Sequence, residues 1–161
     1  MVKLALAWTS RRGIAVAVTC AFVLVLMLTS LDSEPKLLIA PFLCSVAAGL
    51  AVLWPQVAAL LLAAIQLVLT VTYTNPYLGA AVFAFPLVLA LCAAGGHRLT
   101  AAFFAIIYVA LFLVAASRIN DPGSGPDVTA FWIATMFAPI LIGEGIWQLH
   151  LRSDRQQQEQ Q

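Results

Sequence analysis

An ionisable side chain inside an apolar run is the kind of residue most able to do chemistry in a chain like this one, and Glu144 in Ile142-Gly143-Glu144-Gly145-Ile146 is such a residue. A carboxylate at the centre of a membrane helix costs roughly 2.5 to 3.5 kcal/mol on insertion scales, so it needs a reason to be there. Glycines on both sides leave it little steric cover, which lets a neighbouring helix or a basic side chain approach closely. The basic side chains predicted for the same end of the molecule are Arg98, Arg11 and Arg12. The plain expectation is an anchor that pairs with one of them or reaches headgroup water. The sharper alternative is a switch, in which that ion pair differs between two states of the protein. At helical spacing Glu144, Gln148, Arg152 and then Arg155 or Gln156 share a face, with the acid N-terminal to the base.

The other reactive residue types are poorly placed for catalysis. His97 and His150 each stand alone, and Cys20, Cys44 and Cys92 are single and far apart, so no metal-ligand spacing and no disulfide framework is present. The cysteines read as reduced, small apolar residues. A nucleophile with a base at helical spacing and a Gly-rich phosphate loop are both lacking. The expectation is a protein with no catalytic residues, no metal and no cofactor.

The elements that must position Glu144 follow from composition. Of 161 residues, 63% are apolar and only 9% charged, and the mean hydropathy is +0.99. A soluble domain has about 25% charged residues, so this chain reads as an integral membrane protein. Eight basic residues against seven acidic ones leave a net charge of +1, too little for a nucleic-acid partner.

Charges and prolines divide the chain into spans. Between Arg12 and Asp32 lie 19 uncharged residues, enough for one crossing. From Leu37 to Gly96 there are 60 residues with no charge and no histidine, broken at Trp54-Pro55-Gln56 and at Thr74-Asn75-Pro76-Tyr77. The predicted fold is an all-α polytopic bundle of six transmembrane helices over 13–31, 37–54, 57–73, 78–94, 99–117 and 128–149, with a polar helical tail over 150–161. The tail contains no Gly or Pro, so the sixth helix is expected to continue unbroken into it. Pro86 and Pro139 read as mid-span prolines of the fourth and sixth helices.

With the N-terminus inside, Lys3, Arg11, Arg12, Arg98, Arg152 and Arg155 fall on the cytoplasmic side and Lys36 and Arg118 outside, which favours both termini in the cytoplasm. Trp8, Trp54 and Trp147 at inner ends and Tyr73, Tyr77 and Trp132 at outer ends form the expected aromatic belts. A re-entrant hairpin among spans two to four would change the parity. The basic start followed by an apolar run is also the outline of a signal peptide, but the run is too long and no small-x-small cleavage site follows. Ser10-Arg11-Arg12 looks like a twin-arginine signal, yet no soluble cargo follows it here.

The pattern resembles the N-terminal membrane-sensing region of two-component sensor histidine kinases of high-GC Gram-positive bacteria, the class that works with LuxR/NarL-type response regulators. The likeness lies in Arg11-Arg12, in the Ala/Leu/Val-rich spans with short loops, and in the basic turn at His97 and Arg98. It lies above all in Gly143-Glu144 followed by Trp147, Arg152 and Arg155. The resemblance implies a bacterial plasma-membrane protein in signal transduction that relays a membrane or outer-face stimulus through its last helix. It also implies a homodimer, or a complex with a kinase-like partner, joined through the exit helix near Gly143 and Gly145. The kinase core has no counterpart in the chain: the acidic neighbour of a phosphoacceptor histidine is missing at His150-Leu151-Arg152, and so are the ATP-binding boxes. Two other readings stay open: a small transporter subunit that binds a substrate, and a non-catalytic assembly partner. Polar groups for a substrate pocket are sparse, with Asp32, Glu34, Asn75, Asp121 and Asp127 as the outer-face candidates.

Overall fold

A computed structural model describes residues 2–29, 38–72, 79–118 and 126–159. Asp32, Glu34, Lys36, Tyr73, Asn75, Tyr77 and Asp121 lie outside the described residues, as does the Asn120-Asp121-Pro122-Gly123 turn, and so do the side chains of Lys3, Trp8, Arg118 and Asp127. Among the described residues the protein is all helix, with no strand. Six α-helices follow in order: α1 (Val2–Thr29), α2 (Ile39–Leu50), α3 (Pro55–Thr72), α4 (Ala84–Ala94), α5 (Arg98–Arg118) and α6 (Pro126–Glu159), with a 3-10 turn over Gly79–Phe83 leading into α4.

Four of these helices contain segments long and apolar enough to cross a membrane: Ser10–Thr29, Pro55–Thr72, Arg98–Ser117 and Ala130–Ser153. The other two are shorter than the sequence pattern suggests. α2 has 12 residues and α4 has 11, hence lengths of about 18 and 16 Å against a hydrocarbon thickness of about 30 Å. Composition alone does not set a helix end. After Leu50 the backbone tightens into i→i−3 bonds, Val52 to Gly49 at 3.2 Å and Leu53 to Leu50 at 3.0 Å, and α3 then restarts with Pro55 as its first residue. At the fourth element, Gly79–Phe83 winds as 3-10 before α4 begins. Pro86 is therefore the third residue of α4, where no backbone donor is lost, and not the mid-span proline expected from sequence. Pro139 does lie within α6.

α4 is the centre of the bundle. It packs against α2, α3, α5 and α6, and its residues Ala84, Phe85, Val88, Leu89, Cys92 and Ala93 are buried. A helix apolar on every side belongs in an interior, and this one is enclosed by its neighbours. Around it the aromatic rings form a continuous series. Trp132 stacks on Phe112 at 4.4 Å between centroids, Phe112 meets Phe85 edge-on at 5.2 Å, and Phe85 meets Tyr108 edge-on at 5.0 Å. Tyr108 is buried and donates its hydroxyl to the Ala59 carbonyl at 2.7 Å, tying α5 to α3. α1 stands at the periphery, packed on α2 and the 3-10 turn, and makes no packing contact with α6. The seam of α1 and α2 closes at Gly49, whose missing side chain is filled by Thr19 and the Ala15 carbonyl.

Candidate functional site

The site forms where the turn between α4 and α5 meets α6. The turn is built by Gly95-Gly96-His97. The Gly96 N–H donates to the Ala93 carbonyl at 2.9 Å and the His97 N–H to the Cys92 carbonyl at 3.0 Å, the paired bonds of a Schellman cap. That cap needs a left-handed residue, and Gly96 supplies it with φ of 82°. The His97 carbonyl then accepts from the Ala101 N–H at 2.9 Å, opening α5 at once. Two glycines thus reverse the chain in the shortest distance and deliver Arg98 to the first position of α5.

Three contacts fasten α6 to the end of α4, to this turn and to the start of α5. At Gly143 the two helices touch backbone to backbone: a Cβ there would overlap the Ala90 carbonyl and lie 2.8 Å from the Ala93 Cβ. One turn on, the Trp147 ring covers Gly96, where a Cβ would sit 3.1 Å from the indole. Between them, the Arg98 guanidinium reaches the Glu144 carboxylate, Nη1 to Oε1 at 3.5 Å. The same oxygen accepts from Gln148 Nε2 at 3.3 Å, the i+4 neighbour.

Electrostatically the pair is lopsided. The Arg98 side chain is 70% exposed and that of Glu144 only 22%. The second carboxylate oxygen, Oε2, is buried and has no hydrogen-bond partner. A single long contact from an exposed arginine lacks the two parallel bonds of a strong pair, and pairs of this kind are worth about 1 kcal/mol or less in water. Loss of the pair would, however, leave a carboxylate unpaired within an apolar helix.

Of the basic residues considered as partners of Glu144, Arg98 is the one in contact. Arg11 and Arg12 lie exposed on α1, and α1 does not touch α6, so proximity of ends along the membrane normal did not translate into contact. Arg152 is exposed further along α6. The two glycines separate as well. Gly143 is spent inside the chain against α4, so it is not free to join a second copy, whereas nothing lies within 4 Å of a Cβ at Gly145.

Three residues carry more than sequence reasoning assigned them. Trp147, taken as part of an aromatic belt, packs on Gly96; the Gly-Gly doublet was a visible signal for a close approach. Gln66 was passed over. It is fully buried in α3, and neither its Oε1 nor its Nε2 has a partner. An uncharged amide in an apolar run was the available signal. Tyr108, with its hydroxyl on Ala59, was the third. Among the described residues no group of three or more His, Cys, Asp or Glu could hold a metal ion. No protein-family model, no curated protein and no solved structure matches the chain.

Proposed function

We propose that this chain is an integral membrane signalling module, with six crossings and both termini on the cytoplasmic side of a bacterial plasma membrane, in which α6 is the output element. The observation that carries the reading is the join of one long continuous helix to an ion pair made by a single long contact. α6 runs as one helix from Pro126 to Glu159, past the end of its apolar segment at Ser153, and its inner part is held to the α4–α5 turn by Gly143, the Arg98–Glu144 pair and Trp147. A stimulus that shifts α4 or α5 bears directly on that catch, and an unbroken helix carries a rotation or shift to whatever is attached beyond it. The short length of α4 is compatible with its crossing, because an element enclosed by protein need not match the lipid thickness. The likeness to the input region of two-component sensor kinases points the same way.

With Gly143 occupied by α4, association with a second copy or a kinase-like partner falls to the open face of α6, where Gly145, Ile146 and Leu149 are exposed. The second reading, a substrate-binding subunit of a transporter, draws on Gln66. Its amide is sealed from the outside, which ranks that reading below the first.

The test is a fusion of a reporter kinase core after Gln161, comparing wild type, Arg98→Gln, Glu144→Gln and the double change. The expected result is a shift of output in Arg98→Gln that the double change reverses, with Glu144→Gln close to wild type. Equal output in all four would discard the switch and leave Glu144 as an anchor. Topology reporters after Gln161 and within 118–127 check the orientation, and an external C-terminus would overturn it.

A further inference from the structure

Arg98 has more hydrogen-bonding capacity than Glu144 uses. A guanidinium carries five N–H donors in a planar fork, and one of them, on Nη1, points at Oε1 across 3.5 Å. The side chain is otherwise 70% exposed. Its position along the helix is also telling, because the apolar segment Arg98–Ser117 begins with this residue. In a bilayer the first residue of such a segment lies at the boundary of hydrocarbon and headgroup, where the available acceptors are lipid phosphates.

The surface beside it has a matching character. Leu99 is 82% exposed, and from it Phe103, Ile106, Ala110 and Val114 continue as exposed residues at i+4, i+3, i+4 and i+4 steps, an uninterrupted outward stripe along α5. Basic residues rim that end, with His97 closing the turn, Arg98 opening α5, and Arg152 and Arg155 exposed on α6; Glu144 is the acid in contact with Arg98. A cationic fork at the head of an apolar stripe suits one kind of molecule, an amphiphile with an anionic head and a hydrocarbon tail.

We propose that Arg98 is the headgroup ligand of a bound anionic phospholipid, whose phosphate accepts the N–H groups that Glu144 leaves unused while an acyl chain lies along Leu99, Phe103 and Ile106. The arginine then bridges lipid and carboxylate, and the catch on α6 includes a lipid. Charge assists twice: the phosphate adds the second acceptor that a bidentate arginine favours, and a held guanidinium stays within reach of Glu144. The inference rests on the membrane reading and on the Arg98–Glu144 contact, not on signalling, so a silent reporter fusion leaves it standing.

The experiment is native mass spectrometry of the full chain in detergent micelles, titrated with phosphatidylglycerol or with phosphatidylcholine of the same acyl chains. One phosphatidylglycerol is expected to bind with at least about fivefold preference, the factor a single interfacial cation contributes. Arg98→Gln should abolish the preference, Arg98→Lys should keep part of it, and Glu144→Gln should keep or raise it, since a carboxylate repels the phosphate. Circular dichroism checks that each variant retains its helices, and the lysine variant carries the test if the glutamine variant does not fold. Equal binding of the two lipids would overturn the proposal, as would an unchanged preference in Arg98→Gln. Displacement of the lipid by inorganic phosphate at equal concentration would do so too, since the site would then belong to a free anion.

Discussion

Two seams in this molecule are made by the same device and differ in the groups that surround it. At the α1–α2 seam Gly49 lets α1 approach until Thr19 and the Ala15 carbonyl fill the place of a side chain, and at the α4–α6 seam Gly143 does the same for the Ala90 carbonyl. Close backbone approach through small residues is how helices pack where lipid offers no hydrophobic drive. At Gly49 the α1–α2 contact is closed on itself, because the Thr19 hydroxyl donates back to the Ala15 carbonyl at 3.0 Å. The α4–α6 contact continues into an ion pair, an indole laid on a left-handed glycine and a helix that leaves the bundle. Glycine brings helices together at both seams; the proposed function makes the first a fixture and the second a catch.

The hardest way to break the comparison is to fill the glycines. At Gly143 the obstacle is backbone, which has nowhere to go. Gly143→Val should destabilise the protein by about 3 kcal/mol in a detergent unfolding titration. Gly145 is the control within the chain, since nothing lies within 4 Å of a Cβ there, and in micelles dilute enough to hold single copies Gly145→Val should change stability by less than about 0.5 kcal/mol. Equal losses at both would mean that the seam is not at Gly143. At Gly49 the nearest obstacle is a hydroxyl, which can rotate, so Gly49→Ala should cost less, about 1 to 2 kcal/mol. Adding Thr19→Ala should recover part of that loss, because the two residues share one space. Recovery should be incomplete, as the Ala15 carbonyl would still lie 2.7 Å from the new Cβ.

A third region sharpens the contrast by having the opposite sign. Gln66 holds a fully buried amide with neither polar atom paired, while its backbone carbonyl accepts from Thr70 at 2.8 Å. Leaving a buried polar group unsatisfied costs about 1 to 3 kcal/mol. Gln66→Met keeps the unbranched shape and removes the polar atoms, so the unfolding midpoint should rise by the equivalent of about 1 kcal/mol. A fall would show that the amide is paired within the bundle.

What could be read from sequence and what could not divides along physical lines. The helical elements were legible because charges and prolines are costly in an apolar helix, and Glu144 stood out for the same reason. The lengths of α2 and α4 were not, because Val52 and Leu53 are as apolar as helix residues, and the helix ends there through backbone tightening that no residue type announces. Three arginines suited Glu144 equally by position along the membrane normal, and only the lateral order of helices, with α1 on α2 and α6 on α4, selects Arg98. Gln66 escaped because an amide carries no charge, so a reading organised by charges passes over it.

The smallest stability effect is predicted for the ion pair itself, although it is the part of the catch given a functional role. Its single contact of 3.5 Å from a largely exposed arginine implies little net energy. A double-mutant cycle of Arg98→Gln and Glu144→Gln should therefore return a coupling of about 0.5 kcal/mol. Glu144→Gln alone should be close to neutral, since an amide oxygen still accepts from Gln148 and the charge penalty is gone. Arg98→Gln alone should cost more, because it leaves the carboxylate, with Oε2 already unpaired, in an apolar helix. This asymmetry between the two single changes distinguishes a catch from a fixture. In a fixture both partners contribute to one stable contact, and removing either costs the same. In a catch the arginine holds down a charge that would otherwise drive α6 to rearrange, so its loss is felt and the loss of the charge is not. Equal costs for the two single variants would place the α4–α6 seam with the α1–α2 seam, as packing alone.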